Sequence, residues 1–156
     1  MASVNGFKGM RYVSMRIMSA DKRLTAGVIL AGGQSRRMGQ SKALLPYKGA
    51  RLIDHRVHTL KSAQLDVYVS GQVAPFACIP DEIPARGPVG GVMSAATFLT
   101  MKGFQAALFV PVDMPLLTPA LLTALIQRLG EHEAVYYQAH PLPICLSLSP
   151  KVLRVL

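Results

Sequence analysis

Thr25-Ala26-Gly27-Val28-Ile29-Leu30-Ala31-Gly32-Gly33-Gln34-Ser35-Arg36-Arg37-Met38-Gly39-Gln40-Ser41-Lys42 is the stretch that decides the fold. Residues 25–30 read as one short apolar strand that stops at Gly32-Gly33. A strand that is apolar throughout, without polar alternation, is one covered on both faces. The loop behind it packs three glycines, two arginines and a lysine into residues 30–42. Glycines let backbone N–H groups approach a phosphate closely, and the cations supply countercharge. The spacing fits neither a Walker A loop nor the dinucleotide fingerprint. Glycines alone would be ordinary strand-to-helix punctuation. The three cations tilt the loop toward anion binding.

Outward from this stretch, strands and helices alternate. Leu52 to Ala63 reads as a helix with Leu52, Ile53, Val57 and Leu60 on one face and Arg56 and Lys61 off it. Leu65 to Ser70 is a second strand, rich in β-branched and aromatic residues. The proline-rich run 75–88 leaves room for one short strand, Phe76 to Ile79. Val92 to Met101 is helical in composition, and Ala106 to Val112 is a third strong strand. Thr118 caps the next helix, Ala120 to Leu129, with Pro119 at its first position. Ala134 to Gln138 and Ile144 to Leu148 are further strands, and Pro150 to Leu156 starts a last helix. The alternation predicts an α/β fold, three layers α/β/α around a mostly parallel sheet. In such sheets ligands bind beyond the carboxyl ends of the strands, where the strand order reverses. The chemistry is therefore expected in the loops after Leu30, Val69 and Val112. Residues 1–24, with four methionines and no clear period, read as an N-terminal extension, and 25–156 as the domain.

Composition removes several classes of function. Of the 156 residues, 51% are hydrophobic and 16% charged, which disfavours long disorder. The longest apolar stretch, Ala106 to Ile126, contains Asp113 and Pro111, Pro115 and Pro119, so it is not a membrane span. No apolar run follows the basic N-terminus, and no signal peptide is expected. Cys78 and Cys145 make neither a disulfide framework nor a metal cluster, which points to a reducing cytoplasm. The net charge is +9, concentrated in residues 1–61, where twelve Lys/Arg face two acids. That half attracts a polyanion. Lys8, Arg11, Arg16, Lys22 and Arg23 read as a solvated tail, and no aromatic-interleaved basic stripe points to nucleic acid.

The first loop resembles the signature of nucleotidyltransferases with a Rossmann-like GT-A fold, Leu-Ala-(Gly/Ala)-Gly-x-Ser-x-Arg-Met-Gly followed by Lys. More narrowly, it is similar to the molybdenum cofactor guanylyltransferases, the molybdopterin-guanine dinucleotide biosynthesis protein A family, whose loop reads Leu-Ala-Gly-Gly as Leu30 to Gly33 do. The likeness continues through Lys42-Ala43-Leu44-Leu45-Pro46, Leu52-Ile53-Asp54-His55, Gly87-Pro88-Val89-Gly90-Gly91 and Val110-Pro111-Val112-Asp113-Met114-Pro115-Leu116, spanning about residues 25–150. The resemblance implies transfer of GMP from Mg-GTP to molybdopterin, with release of pyrophosphate. It implies GTP and molybdopterin as partners, with molybdoenzyme maturation proteins beyond them. Arg37 and Lys42 match the family's phosphate-contacting positions. Lys42 is a point charge suited to triphosphate oxygens, while Arg37 offers a fork to two of them. Asp113 is the expected Mg²⁺ ligand, because an ionised carboxylate ending an apolar strand is costly unless paired or bound to a cation. A turn-capping carboxylate before Pro115 is the plainer reading. Leu30, Ala31, Gly32, Gly33, Ser70 and Asp81 complete the implied nucleotide site. Asp81 could accept from guanine N1–H and N2–H, contact a ribose, or simply serve a turn.

Two features depart from the family. Ser70 stands where relatives often have Asn. Relatives also continue for roughly forty residues past Leu156, so the expectation is a chain that binds Mg-GTP yet transfers GMP poorly. His55 and His58, a helical turn apart, read as surface or partly buried histidines, since no third ligand accompanies them. The alternatives to a guanylyltransferase are a cytidylyltransferase, another small-molecule nucleotidyltransferase, and a nucleotide-binding module without catalysis.

Overall fold

The computed structural model describes residues 10–13, 24–31, 41–79 and 87–156. The strands are β1 (Met10–Val13), β2 (Thr25–Leu30), β3 (Pro46–Tyr47), β4 (Ala50–Arg51), β5 (Asp66–Ser70), β6 (Cys78–Ile79), β7 (Ala106–Pro111), β8 (Ala134–Tyr137) and β9 (His140–Ser147). The helices are α1 (Leu52–Ser62), α2 (Gly87–Met101), α3 (Pro119–Leu129) and α4 (Pro150–Leu153). Seven strands form one sheet in the order β1-β8-β9-β7-β2-β5-β6. β6, β5, β2 and β7 pair in parallel. β9 lies antiparallel to β7, β8 to β9, and β1 to β8, so only β1 and β9 oppose the common direction among the described strands.

Each central strand feeds both faces of the sheet. Ala106, Leu108 and Val110 of β7 join Ile53, Val57 and Leu60 of α1 and Leu122, Leu125 and Leu129 of α3. Ala107 and Phe109, together with Val28 and Leu30 of β2, pack against Ala95, Ala96 and Leu99 of α2. This division is why these strands are apolar at every position, and it completes the α/β/α layering. Thr118 caps α3 as expected, its hydroxyl accepting from the Leu121 N–H at 3.3 Å, with Pro119 at the first helical position.

Several elements differ from the sequence reading. α2 begins at Gly87 rather than Val92, because the Pro88 ring is tolerated in a first turn whose N–H groups have no helical partner anyway. β9 begins at His140 rather than Ile144, and its pairing with β8 steps from Tyr137↔His140 to Tyr136↔Ile144. Pro141 and Pro143, which cannot donate to a ladder, fall within that irregularity. A β3–β4 hairpin precedes α1, turning at Lys48 and Gly49, both at positive φ. Met10–Val13, part of the stretch set apart as an extension, pairs with the outer edge of β8.

Candidate functional site

The strand order reverses between β2 and β7. The chain leaves β2 through α1 toward β5 on one side and leaves β7 through α3 toward β8 on the other. Their carboxyl ends therefore diverge into a crevice, the general ligand position of such sheets. Two backbone bonds hold its floor: Val112 N–H donates to Leu30 O at 3.3 Å, and Ala31 N–H to Ser70 O at 3.1 Å.

Across this crevice Lys42 meets Asp113. The Lys42 Nζ donates to Asp113 Oδ2 at 3.0 Å. Lys42 sits at the start of a 3-10 turn, Lys42–Leu44, whose Ala43 is buried in the core and fixes the turn. Asp113 follows β7 after one intervening residue, Val112. Both side chains are about half exposed, so the pair contributes only about 0–1 kcal/mol to stability. A partner held that weakly can be exchanged for another. Among the described residues no cluster of three or more His, Cys, Asp or Glu could hold a metal. Asp113 offers one carboxylate, which fits a hard divalent ion that brings phosphate and water oxygens for its remaining ligands.

The other expected site residues are placed unevenly. Leu30 is buried in the sheet, and the Ala31 amide is committed to Ser70 O. Ser70 is buried, and its hydroxyl lies under α2, where a Cβ on Gly91 would stand 2.6 Å from the Ser70 Oγ. Gly32, Gly33, Arg37 and Asp81 lie outside the described residues.

Sequence reasoning missed one residue. Arg56, placed off the apolar face of α1, is 1% exposed. Ile53, Arg56, Val57 and Leu60 follow the i, i+3, i+4, i+7 spacing of a single helical stripe, and that spacing was the available signal. The Arg56 Nη2 donates to Met114 O, the carbonyl next after Asp113. Burial pushes the guanidinium below the usual arginine pKa.

The hairpin and α1 are joined by a separate polar contact. Asp54 accepts from the Arg51 backbone N–H at 3.2 Å and from Arg51 Nε and Nη2 at 2.7 and 2.8 Å. The hydrogen bonds from Arg51 hold the Asp54 carboxyl below its ordinary pKa. A depressed carboxylate stabilises the fold above its unfolded pKa, and the effect is lost as pH falls through the folded value. Asp54→Ala should therefore cost about 0.5–1 kcal/mol at pH 7, a screened figure for a partly exposed group. Melting curves of wild type and variant should draw together as pH falls from the ordinary carboxylate range and converge once it lies below the depressed folded value. His55, on the next residue, bonds Tyr47 O through Nε2 at 2.6 Å, which makes it a hairpin anchor.

Residues 27–155 match the family model described as MobA-like NTP transferase domain. The chain is 40% identical over 136 residues to a molybdenum cofactor guanylyltransferase of Xanthomonas euvesicatoria pv. vesicatoria, covering 86% of this chain and 70% of that one. It is 36% identical over 128 residues to a probable molybdenum cofactor guanylyltransferase of Mycobacterium bovis, covering 77% of this chain and 64% of the relative. Among solved structures it resembles Rv0371c from Mycobacterium tuberculosis, with a TM-score of 0.62, 20% identity, and coverage of 88% and 76%. That last likeness concerns the fold.

Proposed function

Because the chain belongs to the MobA-like NTP transferase domain family, we propose that it transfers GMP from GTP to molybdopterin, forming molybdopterin guanine dinucleotide and pyrophosphate. The observation that carries this reading is the Lys42–Asp113 pair at 3.0 Å across the β2–β7 crevice. A cation from the loop after β2 and a carboxylate from the loop after β7 are the two charges that binding a metal–triphosphate requires. In the reaction an oxygen of the terminal phosphate of molybdopterin attacks the α-phosphorus of GTP. The bond from the α-phosphorus to the bridging oxygen breaks, and pyrophosphate departs with that electron pair.

Each residue then has a task. Lys42 leaves Asp113 and takes up triphosphate oxygens, and Arg37 holds others. Asp113 would hold Mg²⁺, which would neutralise charge on the phosphates. Gly32 and Gly33 let the backbone close on the nucleotide beside Leu30 and Ala31, and Asp81 contacts guanosine. Ser70, packed beneath Gly91, supports the edge of the site from within. Residues 25–156 are the nucleotidyltransferase domain, and 1–24 an extension whose Met10–Val13 adds an edge strand to its sheet. The working location is the cytoplasm, where maturation proteins of molybdoenzymes would take the product. No helix among the described residues is long and apolar enough to cross a membrane.

The test is calorimetry with GTP, CTP, ATP and UTP, each with Mg²⁺, beside an assay for the guanine dinucleotide. GTP should bind at least about 10-fold more tightly than CTP, a difference of about 1.4 kcal/mol. Equal binding of all four would remove the guanine reading, and a preference for CTP would make the protein a cytidylyltransferase.

A further inference from the structure

We propose that Arg56 is a positioning residue, a buried guanidinium that fixes the loop carrying Asp113 and so sets where that carboxylate meets the metal–nucleotide. The inference rests on the functional reading of Asp113 and adds to it the side chain that aims the carboxylate.

Asp113 is bracketed by two anchors. Upstream, Val112 N–H donates to Leu30 O at 3.3 Å, which ties the loop to the central strand. Downstream, Met114 O accepts from Leu117 N–H at 3.2 Å and also from Arg56 Nη2, so both lone pairs of one carbonyl are engaged. The Asp113 side chain itself is half exposed and touches Lys42. Its direction is therefore set through the backbone on either side of it, and the downstream anchor reaches across from α1.

The anchor is an expensive one. Arg56 is 1% exposed, and its Nε and Nη1 have no hydrogen-bond partner among the described residues. It occupies a position of the apolar stripe, between Ile53 and Leu60, where an unbranched apolar side chain would pack without burying a charge. Replacing a buried charge by an apolar group of similar volume is often neutral or stabilising. A residue serving only the core would therefore favour the apolar choice, whereas a loop anchor needs the donor. Stability and site geometry make opposite demands on this position, and that opposition supplies the test.

In Arg56→Met the melting temperature should equal or exceed that of wild type. The Leu117 amide, which donates to Met114 O, should exchange with solvent about 10-fold faster or more, reporting a freed loop. The Mg²⁺ concentration giving half-maximal GTP binding should rise about 10-fold, while GTP binding without metal should not change. Arg56→Lys, which keeps a cation and a donor, should fall between Met and wild type, and it carries the test if Arg56→Met does not fold. Unchanged exchange at the Leu117 amide in a folded variant overturns the proposal. So does faster exchange that leaves the metal dependence of GTP binding unaltered. Should wild type fail to bind Mg-GTP, it is the functional reading that fails, and amide exchange still decides whether Arg56 anchors the loop.

Discussion

Asp113→Asn should leave the protein folded and remove its metal-dependent turnover. The side chain lies beyond the end of β7, half exposed, and among the described residues its ion pair is with Lys42. Removing an exposed pair of this kind shifts stability by about 0.5 kcal/mol or less in most proteins. The amide cannot hold a hard divalent ion as a carboxylate does. Losing a group that stabilises transition-state charge typically costs about 100- to 1,000-fold in rate. Formation of the guanine dinucleotide should fall by at least that factor at saturating Mg²⁺. Freed from Asp113, Lys42 should bind metal-free GTP no more weakly than before. Turnover at the wild-type rate, or a variant that unfolds, would show that this carboxylate serves the fold instead.

Lys42→Ala should weaken GTP binding by about 10- to 150-fold, the range for a charge-assisted contact of about 1.5–3 kcal/mol. The loss should be the same for CTP as for GTP, because the phosphates are common to both. Stability should barely change, since Lys42 is about half exposed and Ala43, not Lys42, seats the turn in the core. Calorimetry on the two nucleotides reads both expectations at once. A variant that binds GTP like wild type would sink the phosphate role. One that loses GTP but retains CTP would move Lys42 from the phosphates to the base.

What could be read in the chain, and what could not, follows from which forces act locally. β2 and β7 were plain because burial on both faces makes every position apolar. The start of α3 was plain because Thr118 and Pro119 act within one turn. Lys42 and Asp113 were each singled out, but their meeting across 71 residues depends on the strand order, which no local pattern encodes. Arg56 was misjudged because charge was weighed above position on the stripe. Its partner is a backbone carbonyl 58 residues away, invisible to composition. The β3–β4 hairpin escapes the sequence reading because Lys48-Gly49 joins strands of only two residues each, too short for any period. Ser70, implied at the nucleotide by the resemblance, ends β5 buried beneath α2, a tertiary placement that no local pattern encodes.

The contact between Gly91 and Ser70 also limits how this protein can be altered. Exchanging a helical glycine for alanine is a standard route to a stiffer helix, with a gain of about 1 kcal/mol from propensity. At position 91 the added methyl would stand 2.6 Å from the Ser70 Oγ, and something would have to shift. If the helix gave way, α2 would lift from the end of β5. The two positions are thus coupled: alanine at 91 needs the Ser70 hydroxyl to turn to another rotamer, or residue 70 to shrink to glycine. A thermostabilised version of this enzyme would have to take its gains away from that seam, or change both residues together.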